Sequence, residues 1–132
     1  MQNLKDRNLW KQIGCNEFIF LEPLILTFPI IGFTEIQLRL DEQYGIMSSE
    51  LFSRAEDVIK NLSELSNIIV NQLNESGELE TTEKPYSNPF IVFTPEENSD
   101  ELNWSFTFED SAGLGIYIEF EGKEFSDVWA GD

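Results

Sequence analysis

Residues 104–121, WSFTFEDSAGLGIYIEFE, decide the fold, because two alternating segments flank a run of turn-forming residues. An apolar residue at every second position is typical of a β-strand with one buried face and one wet face. The run DSAGLG between the segments favours a reversal of the chain. The stretch therefore predicts two antiparallel, half-buried strands, and their apolar sides are Trp104, Phe106, Phe108, Ile116, Ile118 and Phe120.

The residues that follow, GKEFSDVWAGD, predict a second hairpin for which two registers are open. A two-residue turn at Gly122-Lys123 has Gly where a type II′ turn requires it, but it places Asp127 opposite Ile118, among apolar side chains. A three-residue loop places Val128 opposite Ile118 instead. That second register also gathers an exposed aromatic and acidic patch, which consists of Tyr117, Glu119, Asp127 and Trp129.

A long amphipathic helix is predicted in the middle of the chain. Apolar residues recur every three or four positions from Leu51 to Leu73, which is the spacing of one helix face. Ser48 or Ser49 can cap the start of the helix, and Gly77 can end it. The helix would contain about 25 residues and span roughly 37 Å.

These elements predict an α+β fold in a single domain, residues 1–132. Further strands are indicated at 17–22, 24–28, 34–41 and 88–94, where apolar runs or alternating patterns occur. We expect a mostly antiparallel sheet of five or six strands, with one long amphipathic helix packed on one face.

The net charge is the most unusual property of the chain, at −17 from 25 acidic and 8 basic residues. From residue 75 onward, fifteen Asp and Glu stand against two Lys, whereas residues 1–74 carry ten acidic and six basic residues. Such a charge disfavours direct binding to nucleic acid or to an anionic membrane, because both are negatively charged. It favours a basic protein as the partner.

The apolar run FIFLEPLILTFPIIGF at 18–33 is neither a membrane span nor a signal peptide by its composition. Glu22, Pro23 and Pro29 interrupt it, it is short for a span, and no small-residue cleavage site follows it. The single cysteine, Cys15, is consistent with a reducing compartment. We expect a cytoplasmic protein without membrane contact.

The residues that most enzymes use are missing from this sequence. It has no histidine, which removes the commonest general base and the commonest zinc ligand. A lone cysteine cannot form a thiolate metal cluster, and the acidic loops do not match the spacing of a calcium-binding EF-hand. We therefore expect no catalytic residues, no metal and no cofactor, and we interpret the chain as a binding protein, not an enzyme.

In size, acidity and lack of catalytic residues, the chain resembles the small cytosolic immunity proteins of bacterial contact-dependent inhibition and related polymorphic toxin systems. The resemblance implies that the chain binds and neutralises one cognate toxin domain, often a basic nuclease, with carboxylates in place of phosphates. It assigns no residue to a role. Local density of acidic and aromatic residues gives the candidate partner-binding residues, which are Glu96, Glu97, Asp100, Glu101, Glu109, Asp110, Glu119, Asp127 and Trp129.

Two alternatives from other classes stay open. The chain could be a DNA mimic or regulatory adaptor that occupies a DNA-binding protein, in which case duplex DNA would compete for the partner. It could also be a structural or oligomeric module, for which the apolar segment Leu24–Phe33 offers a contact surface. The sequence does not determine the oligomeric state.

Neutralising the acidic loop at Glu96, Glu97, Asp100 and Glu101 is expected to slow association with a basic partner, because complementary charge steers the encounter. The association rate constant at low salt measures this, and circular dichroism checks that the fold is intact. Unchanged association rates would contradict the assignment of this loop.

Overall fold

The structure is a computed structural model that describes residues 10–12, 17–20, 24–40, 46–94 and 101–131. These residues form nine strands and three helices. In chain order the elements are β1 (Trp10–Gln12), β2 (Glu17–Phe20), β3 (Leu24–Ile30), β4 (Phe33–Leu40), β5 (Ile46–Ser48), α1 (Ser49–Lys60), α2 (Leu62–Ser76), α3 (Glu78–Thr81), β6 (Ser87–Thr94), β7 (Asn103–Glu109), β8 (Gly115–Glu121) and β9 (Glu124–Gly131).

The strands form two sheets, and the fold is α+β as expected. The larger sheet has six strands in the order β3-β4-β6-β7-β8-β9, and the smaller has three in the order β1-β2-β5. All neighbours in the larger sheet are antiparallel except β4 and β6, which are parallel. The parallel pair arises because the helical segment lies between these two strands, and parallel neighbours require such a crossover.

The prediction of one long helix is wrong, because the segment is divided into α1, α2 and the short α3. Asn61 separates α1 from α2 with φ −105° and ψ 15°, outside helical geometry. Its side-chain amide donates to the carbonyl of Asp57 at 2.7 Å, and its backbone N–H donates to the same oxygen at 3.2 Å. Asn side chains compete with the helical backbone in this way.

The start of α1 and the end of α2 agree with the capping residues that the sequence indicates. Ser48 Oγ accepts a hydrogen bond from the N–H of Leu51 at 3.2 Å, which satisfies one of the free donors at the start of α1. Gly77 ends α2 in the left-handed conformation at φ 77°, where glycine carries no steric penalty.

One hydrophobic core joins the helices to one face of the larger sheet. The apolar stripe continues across the break at Asn61, since Leu62, Leu65, Ile69 and Leu73 of α2 are all buried. Every second residue of the strands faces this stripe, and the inward residues are Ile36, Leu38, Ile91, Phe93, Trp104, Phe106, Phe108, Ile116, Ile118 and Phe120. We call the opposite side of the six-stranded sheet the outer face.

The hairpin of β8 and β9 combines the two registers that the sequence left open. At the turn, Glu121 pairs with Glu124 and Phe120 with Phe125, as a two-residue turn requires. Between these pairs and the pair Glu119–Asp127, the register shifts by one residue, so Ser126 is the extra residue of a β-bulge. The bulge keeps the favourable turn and still directs Asp127 to the outer face.

The segment Leu24–Phe33 contributes to the core at its C-terminal end, whereas Ile25, Thr27 and Pro29 are exposed. Ile30 is buried, and Ile31 and Phe33 pack against the core. Ile25 points to the outer face and is 47% exposed, on the strand at one edge of the sheet. Within the part of the chain that the structure describes, no helix has the length and apolar composition needed to cross a membrane.

Deleting Ser126 is expected to keep the fold, because removal of the bulge residue leaves every other pair of the hairpin in place. The free energy of unfolding in urea should change by less than about 1 kcal/mol. Deleting Val128 is the matched control, because it moves Asp127 or Trp129 to the inner face. This deletion should lower the free energy of unfolding by more than about 2 kcal/mol. Equal losses for the two deletions would contradict the bulge.

Candidate functional site

Three aromatic side chains and one threonine form a row across the outer face of the sheet. Cross-strand pairing places Phe90 opposite Thr107, Thr107 opposite Tyr117, and Tyr117 opposite Trp129. Thr107 is only 4% exposed, although it lies on the outer face, which shows how closely the row is packed. At the other end of the row from Trp129, the Arg39 guanidinium lies 4.4 Å from the centre of the Phe90 ring.

Tyr117 and Trp129 form a stacked pair at the edge of the sheet. Their ring centres are 4.0 Å apart and their planes differ by 12°. Trp129 Nε1 donates to Glu119 Oε1 at 2.7 Å, which fixes the direction of the indole ring. Because β9 is the last strand of the sheet, Trp129 remains 41% exposed.

A pair of glycines leaves the space that the two rings occupy. Gly115 and Gly131 are opposite each other, two residues from Tyr117 and Trp129 along their strands. A Cβ on Gly115 would lie 2.7 Å from Tyr117 Oη, and a Cβ on Gly131 would lie 3.2 Å from the six-membered ring of Trp129. The rings therefore lie along the strands over backbone that carries no side chain, a close approach that glycine allows.

Two pairs of carboxylates lie between this stacked pair and the turn of the hairpin. Glu119 is directly opposite Asp127, and Glu121 is directly opposite Glu124 at the turn. No ion pair joins any of these four carboxylates to a basic side chain within the described residues. We call Tyr117, Trp129, Glu119 and Asp127 together the hairpin patch. Like charges placed directly opposite destabilise a sheet, so the patch has unfavourable electrostatics in the free protein.

A concavity of about 350 Å³ adjoins the hairpin patch on the outer face. Its polar lining comes from carboxylates, hydroxyls and one amide, namely Glu119, Glu121, Thr94, Ser105, Ser126 and Asn103. Such oxygens accept hydrogen bonds from the N–H groups of a cationic side chain. Among the described residues, no group of three or more His, Cys, Asp and Glu side chains is arranged to hold a metal ion.

Acidic charge is not confined to the outer face. The helices also expose carboxylates to solvent, including Glu50, Asp57, Glu64, Glu75 and Glu80. Two of these lie near basic groups, since Arg54 is 3.5 Å from Glu50 and Lys123 is 3.2 Å from Asp57. Charge density alone therefore does not identify a binding face, and the stacked aromatic pair with its exposed Trp129 distinguishes the hairpin patch.

The structure brings together three of the candidate residues, Glu119, Asp127 and Trp129, as the second register anticipated. Glu101 lies beside Gly122 at the turn of the hairpin, and its carboxylate is 3.3 Å from Arg54 of α1. Glu109 is the last residue of β7, directly opposite Gly115, and it accepts a hydrogen bond from the Asn88 side chain at 3.1 Å. Glu96, Glu97 and Asp100 lie outside the described residues.

Asp110 is 5% exposed and holds a turn together. Its carboxylate accepts hydrogen bonds from the backbone N–H groups of Glu83 at 3.1 Å, Ala112 at 3.0 Å and Leu114 at 2.9 Å. Burial raises the pKa of this carboxyl, but the backbone donors outweigh that effect and hold the pKa below its ordinary value of 3.8. We assign Asp110 to the organisation of the β7–β8 turn, and its contact with a partner stays a prediction.

Tyr117 completes the hairpin patch, although it was not among the candidate partner-binding residues. Alternation along β8 placed it on the same side as Glu119, which was the available signal. The glycine pair under the rings could not be identified in advance, because it depends on the register of the hairpin.

Comparisons of the chain with family models, with curated proteins and with solved structures found no match.

Replacing Asp110 by Asn is expected to destabilise the protein at neutral pH, because the turn loses a charged acceptor of several backbone hydrogen bonds. A carboxyl with a lowered pKa stabilises the folded state fully above its ordinary pKa, and this contribution is lost as the pH falls through the folded pKa. The difference in unfolding free energy between wild type and Asp110→Asn should therefore shrink below about pH 4. A difference that does not change between pH 7 and pH 3 would contradict the assignment.

Proposed function

We propose that this chain is a non-catalytic protein that binds a basic protein through the hairpin patch, and that it acts as an immunity protein which blocks a toxin domain, such as a nuclease. The proposal rests on the Tyr117–Trp129 stack, in which Trp129 is exposed and Tyr117 half-buried, next to carboxylates that have no basic partner among the described residues. Exposed aromatic residues of this kind are typical anchors of protein interfaces.

The arrangement of charge supports a cationic partner over solubility alone. A small domain needs a net charge of about 2–8 in magnitude for solubility, and this chain carries −17. The hairpin also accepts two pairs of directly opposed carboxylates, Glu119–Asp127 and Glu121–Glu124, at a cost to its own stability. A basic partner would relieve that repulsion on binding, and the overall charge would accelerate the encounter.

The aromatic pair defines the position on the surface at which a partner would bind, which net charge alone does not. Trp129 is held by its stack on Tyr117 and by its hydrogen bond to Glu119, so little side-chain freedom is lost when a partner covers it. Residues with this combination of rigidity and exposed apolar area carry most of the affinity of many interfaces. In a toxin complex, the neighbouring carboxylates would occupy the positions of nucleic-acid phosphates.

Two double variants, compared for their affinity for the partner, test the proposal. The partner in this experiment is a toxin domain encoded directly upstream of this gene. Glu119→Gln/Asp127→Asn removes two charges at the hairpin patch, and Glu64→Gln/Glu75→Gln removes two exposed charges from α2. We expect the first variant to weaken binding at least about tenfold more than the second, because its charges contact the partner directly. Surface plasmon resonance at low and physiological salt measures both.

Equal losses in the two double variants would contradict the hairpin patch as the binding surface, because they would show attraction by net charge only. Failure of the wild-type chain to bind and inhibit the toxin domain would contradict the immunity function. Release of a bound DNA-binding protein by duplex DNA would favour the DNA-mimic alternative instead.

A further inference from the structure

We infer that the residue which the partner places on the hairpin patch is an arginine, whose guanidinium stacks on Trp129 and pairs with Asp127. This inference rests on the proposed function, because it specifies the chemistry of the partner at the same surface. It follows from the geometry of the indole ring, from the adjacent carboxylate and from the charge of the surface.

Tyr117 lies on one side of the Trp129 indole, and the opposite ring face lies on the side where the sheet ends. Tyr117 covers one face of the indole at a centre-to-centre distance of 4.0 Å, and β9 is the last strand of the sheet. Trp129 as a residue is 41% exposed, which is consistent with a ring face that is open beside the sheet edge. A flat face of this kind accepts a planar group.

Two carboxylates lie beside the indole ring. The Glu119 carboxylate accepts the indole N–H at 2.7 Å, and Asp127 lies two residues before Trp129 on the same side of β9. Asp127 is exposed, and its Oδ1 accepts a hydrogen bond from the N–H of Val128 at 2.9 Å, which orients the carboxylate. Its other oxygen and the remaining lone pairs can accept from a cation that lies over the ring.

A guanidinium fits this combination better than an ammonium does. It is planar and stacks on aromatic rings while its N–H groups form a fork toward a carboxylate, and it is less strongly hydrated than an ammonium. The outer face already contains one such contact within the chain, because the Arg39 guanidinium lies 4.4 Å from the centre of Phe90. The hairpin patch offers the equivalent contact to a group from outside.

The test uses two acetylated and amidated Gly/Ser peptides of equal length, one carrying three Arg and the other three Lys. Titration followed by NMR gives both dissociation constants, and the indole N–H signal of Trp129 reports on the site. We expect the Arg peptide to bind about three- to fivefold more tightly than the Lys peptide and to shift the Trp129 signal. Trp129→Leu should remove this preference while leaving the weaker binding of both peptides, and Trp129→Tyr should retain part of it.

The outcomes separate the inference from the proposed function. Equal affinity for the two peptides, or an Arg preference that persists in Trp129→Leu, would overturn the arginine inference and leave the binding of a basic partner standing. Failure of both peptides to bind would count against the proposed function and, with it, against this inference.

Discussion

The pairing of Ile118 with Val128 across β8 and β9 is the constraint on which the outer face of this protein depends. With these two residues directed toward the core, alternation sends Tyr117, Glu119, Asp127 and Trp129 to the opposite side. The bulge at Ser126 makes that pairing compatible with the tight turn at Gly122-Lys123. If Ser126 instead paired with Glu119 in continuous register, Asp127 and Trp129 would face the hydrophobic core, while Tyr117 and Glu119 would stay on the outer face.

The two faces of the six-stranded sheet differ in the side chains that they carry. The inner face buries a continuous layer of large side chains against α1 and α2, and this burial supplies the main favourable contribution to folding. Because the core lies on the inner face, the outer face can carry side chains that do not stabilise the fold. These include directly opposed carboxylates, which reduce stability. An acidic surface alone would not define a site, because the helices are acidic as well.

Much of the fold could be predicted because its signals are local. The alternation in β4, β7 and β8, the apolar stripe of the helices, and the caps at Ser48 and Gly77 all follow from short-range patterns. The break at Asn61 was missed because the apolar stripe continues through it, and a side-chain hydrogen bond to the Asp57 carbonyl decides the geometry there. The parallel pairing of β4 and β6 depends on the path of the crossover, which no local pattern contains.

The hairpin patch could be predicted in part. Polarity indicated Tyr117, Glu119, Asp127 and Trp129 as one group, but turn chemistry opposed that register, and only the bulge reconciles the two. Charge counting pointed also to Glu101 and Asp110, whose carboxylates are bound within the fold to Arg54 and to backbone N–H groups. Counting charges along a sequence cannot distinguish a carboxylate that is available to a partner from one that the protein itself has engaged.

Hydrogen–deuterium exchange of the chain, alone and bound to the proposed basic partner, reports which face of the protein the partner covers. Binding through the hairpin patch should slow exchange chiefly in residues 115–131, which contain that patch, and leave α1 and α2 unchanged. Slower exchange in the helices with no change in β8 and β9 would contradict it, because the partner would then occupy the opposite face of the protein.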